Sequence, residues 1–312
     1  MAKTAVVVGA TNGIGKAISC RLAQDGFNVI ALGRDKPGRR EEVIDHLIKC
    51  TSDGYTATNE EAKKQTHEFR ACNAFELAQV KECAESIMSD CKTIDALVMT
   101  QGMATVQSFT ATSEGNDEKL TLHYWSRAAF ANCLLPALRS SSMPGGAVVL
   151  SVLSGGVHSP YKKYDIDPEL KSNYSIKNAA DAAGYYNDLF FDKMAKAEKN
   201  KGVNFVHAAP GFVASNWGTE MPSYLKGPIR LMQRLGGKST EKCAEFMVKP
   251  ILQCEIGDIQ LSRPNGGESG LFIMNEDATS GKLSKGHTEE AMSSVWNSTR
   301  DVLGRAGIEL DG

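Results

Sequence analysis

Gly9-Ala10-Thr11-Asn12-Gly13-Ile14-Gly15 is the stretch of this chain whose residue types and spacing point most directly to chemistry. It follows a short apolar run, Ala5–Val8, and opens a segment with helical spacing. A pyrophosphate needs a tight turn, close approach of the main chain and a helix N-terminus with unpaired N–H groups. Side chains would block that approach, which accounts for glycine at 9, 13 and 15. The next apolar run, Asn28–Leu32, leads into Gly33-Arg34-Asp35. A carboxylate first in line there would bond a ribose 2′-hydroxyl, whereas a guanidinium fork suits a 2′-phosphate. Arg34 is the first charge, with Lys36, Arg39 and Arg40 close behind, so the pattern favours NADP(H) over NAD(H) even with Asp35 beside it.

The elements that must position these residues alternate in type. Ile14, Ala17, Ile18 and Leu22 fall on one helical face, and Asp25-Gly26 ends that helix. Leu77, Val80, Ala84, Ile87 and Met88 repeat the helical spacing before the strand-like Ala96–Met99. A Leu- and Ala-rich helix runs toward Pro136, then come a strand at Ala147–Ser151, a helix within about Asn178–Lys199, and a strand at Val203–His207 ending at Pro210-Gly211. Gly270–Met274 and a C-terminal helix over 288–305, with Met292, Val295, Trp296, Val302 and Leu303 inward, complete the pattern. Repeated strand-then-helix order implies a parallel sheet covered on both faces, read as a single doubly wound domain over 1–312. The polar segment 51–66 reads as a surface insertion, and Ser159–Tyr174 as a long connection of the kind that borders sites. Residues 214–237, with Trp217, Met221, Tyr224, Leu225, Leu231 and Met232, read equally as a substrate lid or as the apolar patch of a packed helix.

With 312 residues, 42% of them hydrophobic, the chain has material for a large core. Lys and Arg (35) nearly balance Asp and Glu (37), so no global field favours nucleic acid or an anionic membrane. No apolar run approaches the ~20 residues that span a bilayer, and Met1-Ala2-Lys3-Thr4 has no cleavage site, so a cytoplasmic protein is expected. The eight cysteines form no C-x-x-C pair and no cluster with histidine in sequence, so buried reduced thiols are expected, with neither disulfide nor metal site.

Taken in order, these motifs resemble the short-chain dehydrogenase/reductase family over roughly residues 3–275. Gly9, Gly13 and Gly15 have that family's G-x-x-x-G-x-G spacing. Leu97-Val98-Met99-Thr100-Gln101-Gly102 stands where the family reads L-V-N-N-A-G, Ser151-Val152-Leu153-Ser154 resembles the strand that ends in its serine, and Pro210-Gly211-Phe212-Val213 matches its P-G-x-V. The resemblance implies an α/β fold, a Rossmann-type domain with a mostly parallel seven-stranded sheet, and a nicotinamide cofactor. It also implies carbonyl/alcohol chemistry on a small molecule, and a homo-oligomer. It implies cofactor contacts from Gly9, Thr11, Asn12, Gly13, Ile14, Gly15, Arg34, Asn73, Gln101, Gly102, Pro210, Gly211 and Val213.

The family's chemistry uses a tyrosine acid, a lysine four residues on, a serine that orients the substrate oxygen, and an asparagine that supports a relay water. Only the serine matches, at Ser154. The tyrosine position falls near Ala180, the lysine position near Gly184 and the asparagine position at His123. An alkoxide formed by hydride delivery needs a proton, and a positioned acid contributes about 10²–10⁴-fold. Ser154 alone is a poor source. His123, with an ordinary pKa near 6.5, is one candidate, although a histidine among Leu120, Leu122, Tyr124 and Trp125 also reads as a core residue. Tyr174, on a loop before the helix, is another. Tyr185 would serve only on a shifted or bulged helix, because Lys177, Ala180, Gly184 and Asn187 share one stripe and Tyr185 points away from it. Ala180 and Gly184 read either as tolerated small residues or as space beside the nicotinamide, for a bulkier substrate or for an acid supplied from elsewhere. Three functions remain open: an NADP(H)-dependent oxidoreductase with a non-standard proton donor, a non-redox enzyme (isomerase, dehydratase or cyclase) on the same scaffold, or a catalytically silent NADP(H)-binding protein.

Overall fold

In the computed structural model, which describes residues 3–54, 65–215, 223–267 and 269–311, seven parallel strands form one sheet in the order β3-β2-β1-β4-β5-β6-β7. The strands are β1 (Lys3–Val8), β2 (Phe27–Gly33), β3 (His67–Ala71), β4 (Ala96–Met99), β5 (Ala147–Val152), β6 (Val203–Ala208) and β7 (Phe272–Met274). β4 and β5 are buried at every position, the signature of strands covered on both faces. One core layer packs Val6, Leu32, Leu97 and Val149 under the helices that include Trp125, Tyr186 and Phe190. The other packs Ala5, Val29, Val98 and Leu150 against Ile18, Leu22, Val43 and Met247. Alternate residues of each strand thus feed opposite layers.

Helices α1 (Gly13–Gln24), α2 (Arg39–Ser52) and α3 (Leu77–Asp90) link the first four strands. The next helix, α4, is composite: Glu118–Leu120, a π-helical turn Thr121–Trp125, then Ser126–Arg139. α5 (Ile176–Lys196) starts at Ser175, whose hydroxyl accepts the Asn178 N–H at 3.0 Å. α6 (Ser223–Gly236), α7 (Thr240–Met247) and α8 (Lys249–Glu255) precede β7, and α9 (Glu289–Arg305) closes the chain on a Thr288 cap. The order in which strands are added across the sheet reverses between β1 and β4, the switch point at which open α/β sheets hold ligands beyond their carboxyl ends. Among the described residues no helix is long and apolar enough to cross a membrane.

Two expectations change. Cys20 and Cys50 are disulfide-bonded, with Cα atoms 5.3 Å apart, tying α1 to α2. Neither reduced thiols nor isolated cysteines describe this pair, because packing of the two helices meets a spacing that the linear sequence hides. His46 stands one turn from Cys50, and the three donor atoms lie within 4.8 Å of one another, with both sulfurs committed to the disulfide. Second, 51–66 is not surface throughout: Thr51 and Ser52 finish α2, and buried Thr51 meets His67 Nε2 at 2.7 Å. Residues 55–64 lie outside the described residues. In 214–237, left open between a lid and a helix patch, α6 occupies the second part, with Tyr224, Leu231 and Met232 exposed and Gln233 buried, whereas Trp217 and Met221 lie outside the described residues.

Candidate active site

The glycine turn at the end of β1 is built by contacts that leave no room for side chains. Gly9 and Ala10 N–H groups donate to Leu32 O at 3.0 and 3.1 Å, and Gly9 adopts φ +83°. A Cβ on Gly9 would lie 2.7 Å from Thr100 Oγ1, and one on Gly15 would lie 2.3 Å from Gly9 O. Asn12 caps α1 by accepting the Gly13 N–H at 2.8 Å. Thr11 packs on β2: its Cγ2 would be 2.4 Å from a Cβ at Gly33. The result is a bare main-chain cradle at a helix N-terminus, which fits a diphosphate.

Arg34 is exposed at the end of β2, its guanidinium 5.9 Å over the Phe75 ring. Asp35 is turned into its own loop, where it accepts the Lys36 N–H at 2.9 Å. Asn73 accepts Phe75 N–H at 3.4 Å beside the same ring. Across the switch point, Gln101 is buried, with its Oε1 unpartnered among the described residues and its Nε2 donating to Ser126 Oγ. Pro210, Gly211 and Val213 follow β6. Gly211 (φ +72°) admits Glu276, whose Oε2 would overlap any Cβ there, and Val213 is buried in a bridge to Lys238.

Ser154 lies just beyond β5, and its Oγ is buried with no partner among the described residues. Its main chain is held on both sides by imidazoles. The Ser154 N–H donates to His207 Nε2 at 3.2 Å, and His158 Nδ1–H donates to Ser154 O at 2.9 Å. Both rings share Asp188, which is fully buried on α5: His207 Nδ1–H donates to Oδ1 at 2.6 Å, and His158 Nε2 lies 3.2 Å from Oδ2. The second contact is at ion-pair distance for a protonated ring but off the line of a hydrogen bond. Burial drives His158 toward the neutral form, but Asp188, the Ser154 carbonyl and Asp181 outweigh it and raise its pKa. Burial likewise pushes Asp188 up, yet the two imidazoles bring it down to about 2. His207 is lowered by burial above all and stays neutral.

Gly184 explains how these groups meet. A Cβ there would lie 2.5 Å from both Ser154 Oγ and His158 Cγ. The space over Gly184 is therefore filled by this chain's own side chains and is not room for a bulkier substrate, while Ala180, one turn earlier, is exposed. Lys177 is an exposed residue of the first turn, paired with Asp181.

Of the other proton-donor candidates, His123 and Tyr185 are engaged elsewhere, whereas the Tyr174 hydroxyl has no partner among the described residues. His123 sits in the π-helical turn, where its Nε2 accepts the Met103 N–H at 3.0 Å. Burial, then the charges of Arg127 and Lys119, pull its pKa down to about 3, so the ring is a neutral acceptor at pH 7. The Tyr185 hydroxyl donates to Gly286 O at 2.6 Å on a regular helix, with burial pushing its pKa up to about 12. Tyr174 packs edge-on against Phe109, its hydroxyl unpartnered among the described residues and also pushed up to about 12 by burial and by Asp117 and Glu118.

Sequence reasoning missed Arg127, His158, Asn187, Asp188 and His207. Arg127 is wholly buried and donates to Ser151 Oγ (2.7 Å), Val152 O (3.0 Å) and Gln101 O (2.6 Å). Burial lowers its pKa to about 9. Asn187 bridges the π-helical turn to β5, donating to His123 O at 2.9 Å and accepting from Ser151 Oγ at 2.9 Å. The π turn frees carbonyls that a regular helix would use, and these side chains take them. Charged or polar types at helical positions otherwise apolar, Arg127 and Asp188 above all, were the signal available in the sequence.

A family model described as short chain dehydrogenase matches residues 3–163. Among curated proteins, the chain is 28% identical over 215 residues to "Oxidoreductase AN1596" of Emericella nidulans, covering 68% of this chain and 59% of that one. It is 26% identical over 214 residues to "NmrA-like family domain-containing oxidoreductase notO" of an Aspergillus species, covering 68% and 60%. The chain thus spans about three fifths of the length of these relatives. Two solved structures share the fold. The NADPH-bound carbonyl reductase from chicken fatty liver aligns with TM-score 0.58 at 17% identity, over 90% of this chain and 99% of that one. A metagenomic short-chain oxidoreductase in complex with NADP aligns with TM-score 0.56 at 18% identity, over 82% and 94%.

Proposed function

This chain belongs to the short-chain dehydrogenase family, and on that premise we propose that it is an NADP(H)-dependent oxidoreductase that interconverts a carbonyl and an alcohol on a small molecule without the family's tyrosine–lysine pair. The observation that carries this reading is Ser154 Oγ, a buried hydroxyl without a partner among the described residues, two strands from the bare glycine cradle on the same carboxyl edge of the sheet. A bound nicotinamide nucleotide would supply or accept the hydride. The turn at Gly9, Gly13 and Gly15 would hold its diphosphate, and Gln101, Gly102 and the Pro210–Val213 segment would wall it in. Exposed Arg34 would meet a 2′-phosphate, and two solved structures of this fold are described as NADP- or NADPH-bound, which supports the same preference. Ser154 would donate a hydrogen bond to the substrate oxygen. The test is incubation of purified protein with NADPH and a broad panel of carbonyl compounds. Substrate-dependent loss of the reduced-nicotinamide absorbance is expected; its absence across the panel would sink the redox reading.

Ala180 and Gly184 at the tyrosine and lysine positions favour a second reading, a non-redox reaction on the same scaffold. It entails tight nucleotide binding with no change of nucleotide redox state during turnover.

A further inference from the structure

We propose that Cys20, His46 and Cys50 form a second site, separate from the nucleotide cradle. With the disulfide reduced, two thiolates and an imidazole bind a divalent cation of the zinc type, and oxidation of the sulfurs releases it. Three observations carry this. First, two elements assemble the donors: Cys20 comes from α1, while His46 and Cys50 stand one turn apart on α2. Their ligand atoms all lie within 4.8 Å of one another, the only such group of three His, Cys, Asp or Glu donors among the described residues. Second, His46 Nε2 is 3.6 Å from Cys50 Sγ. Metal–sulfur and metal–imidazole bonds of about 2.3 and 2.0 Å at a tetrahedral centre set their donor atoms about 3.5 Å apart. The imidazole therefore already stands where such a centre needs it, and the sulfurs alone have to part, to about 3.8 Å. Third, Cys50 is buried, whereas Cys20 and His46 are half-buried and line a cavity of about 900 Å³. That cavity gives a cation its way in and leaves the fourth coordination position to water.

The donor types choose the cation. Thiolate and imidazole together suit zinc and its neighbours, whereas magnesium and calcium prefer oxygen. Lys16 and Arg21 on the cavity wall oppose a bare cation, and Glu241 and Glu245 favour it. Two thiolates cancel the charge of the ion they hold, so this balance does not decide the matter. The two states interconvert in balanced steps. A dithiol reductant breaks the S–S bond, gives its two electrons and two protons to Cys20 and Cys50, and leaves as a cyclic disulfide. Cation binding then forms two metal–sulfur bonds and one metal–nitrogen bond while both thiol protons pass to solvent. In the other direction a disulfide oxidant of the glutathione class takes two electrons from the thiolates and departs as two thiolates. The Cys20–Cys50 bond re-forms, and the cation leaves with its charge unchanged.

Cobalt(II) is the probe, because tetrahedral thiolate ligation gives it strong visible bands and a sulfur-to-metal charge-transfer band. The full chain is reduced with dithiothreitol, freed of reductant without air, and titrated with cobalt and then with zinc. One equivalent of cobalt is expected to bind with those bands, zinc should displace it, and oxidised protein should show neither. Six other cysteines are free thiols, so variants must assign the signal. Cys50→Ser should remove the bands. His46→Ala should weaken binding by at least the roughly 10–100-fold that even outer partners of a metal contribute, yet still form the disulfide on oxidation. A second measurement needs no variant: zinc should shield Cys20 and Cys50 of the reduced wild type from alkylation, read residue by residue by mass spectrometry. Reduced wild type that takes up no cobalt, bands that survive in Cys50→Ser, or equal alkylation of Cys20 and Cys50 with and without zinc would each overturn the proposal. None of these readouts involves NADPH, so the redox reading of the nucleotide site stands or falls separately.

Discussion

Gly184 sets two effects of opposite sign against each other. Alanine in its place should favour the helix by about 1 kcal/mol. Its methyl would, however, lie 2.5 Å from Ser154 Oγ and from the His158 ring, and overpacking of that kind costs roughly 1–3 kcal/mol. The ring is pinned by Ser154 O and Asp188, so it cannot give way cheaply, and the clash should win. Gly184→Ala is expected to lower unfolding stability by about 1–2 kcal/mol in urea titrations; a stabilised variant would contradict the packing described. Arg127 makes the complementary case. Its guanidinium satisfies carbonyls of Gln101 and Val152 and the Ser151 hydroxyl, and each buried acceptor left bare costs about 1–3 kcal/mol. Arg127→Met removes a buried charge but orphans all of them, and a loss of roughly 2–4 kcal/mol is expected by the same measurement. Arg127→Lys should recover only part, since an ammonium cannot reproduce the planar fork.

At the scale of elements, α5 and β6 are joined through a charge that responds to pH. Asp188 is held near 2, below its unfolded value of about 3.9, so its contribution is present above about pH 4 and is lost as pH falls through about 2. His158 is raised, so its contribution is full below its unfolded value of about 6.5 and is lost as pH rises through its folded pKa. Other carboxylates also titrate in acid. The informative quantity is therefore the difference between wild type and Asp188→Asn, which should shrink both in strong acid and above neutrality. A pH-independent difference would show that His158 and Asp188 are not paired as ions. The Cys20–Cys50 bond couples α1 to α2 across a separation of 30 residues, which on loop-closure grounds contributes about 3–4 kcal/mol. Cys20→Ser should lose about that much without reductant and match the wild type with it. Neither link was legible beforehand. Helical spacing marks which face is buried, but not which partner faces it, and the meeting of Asp188 with two histidines 30 residues and 19 residues away needs the packed sheet. The glycine turn was legible because its strand, glycines and helix follow one another in sequence, although Leu32 and Thr100, which fix it in space, lie far along the chain.

For the whole molecule, the strand-and-helix alternation carried the architecture: a parallel sheet with both faces covered followed from the order of runs alone, and the switch point then fixed which loops could share a ligand. His67–Ala71 was the strand without a clear mark, since only Phe69 in it is buried and the other four residues are polar or exposed. That topology makes nucleotide binding a property of the fold as a unit, because the cradle is drawn from the ends of β1, β2 and β4, and none of it exists in the unfolded chain. A ligand that binds only the native state stabilises it by about 2.7 kcal/mol at a hundred times its dissociation constant. Saturating NADPH should therefore raise the midpoint of thermal unfolding by several degrees. NADH at the same concentration should raise it less, because exposed Arg34 has no 2′-phosphate to meet. Arg34→Asp puts a carboxylate where that phosphate would sit, so the NADPH shift should collapse while the NADH shift persists or grows. Equal losses for both nucleotides would remove Arg34 from the 2′ position, and no shift with either would remove the nucleotide from the cradle.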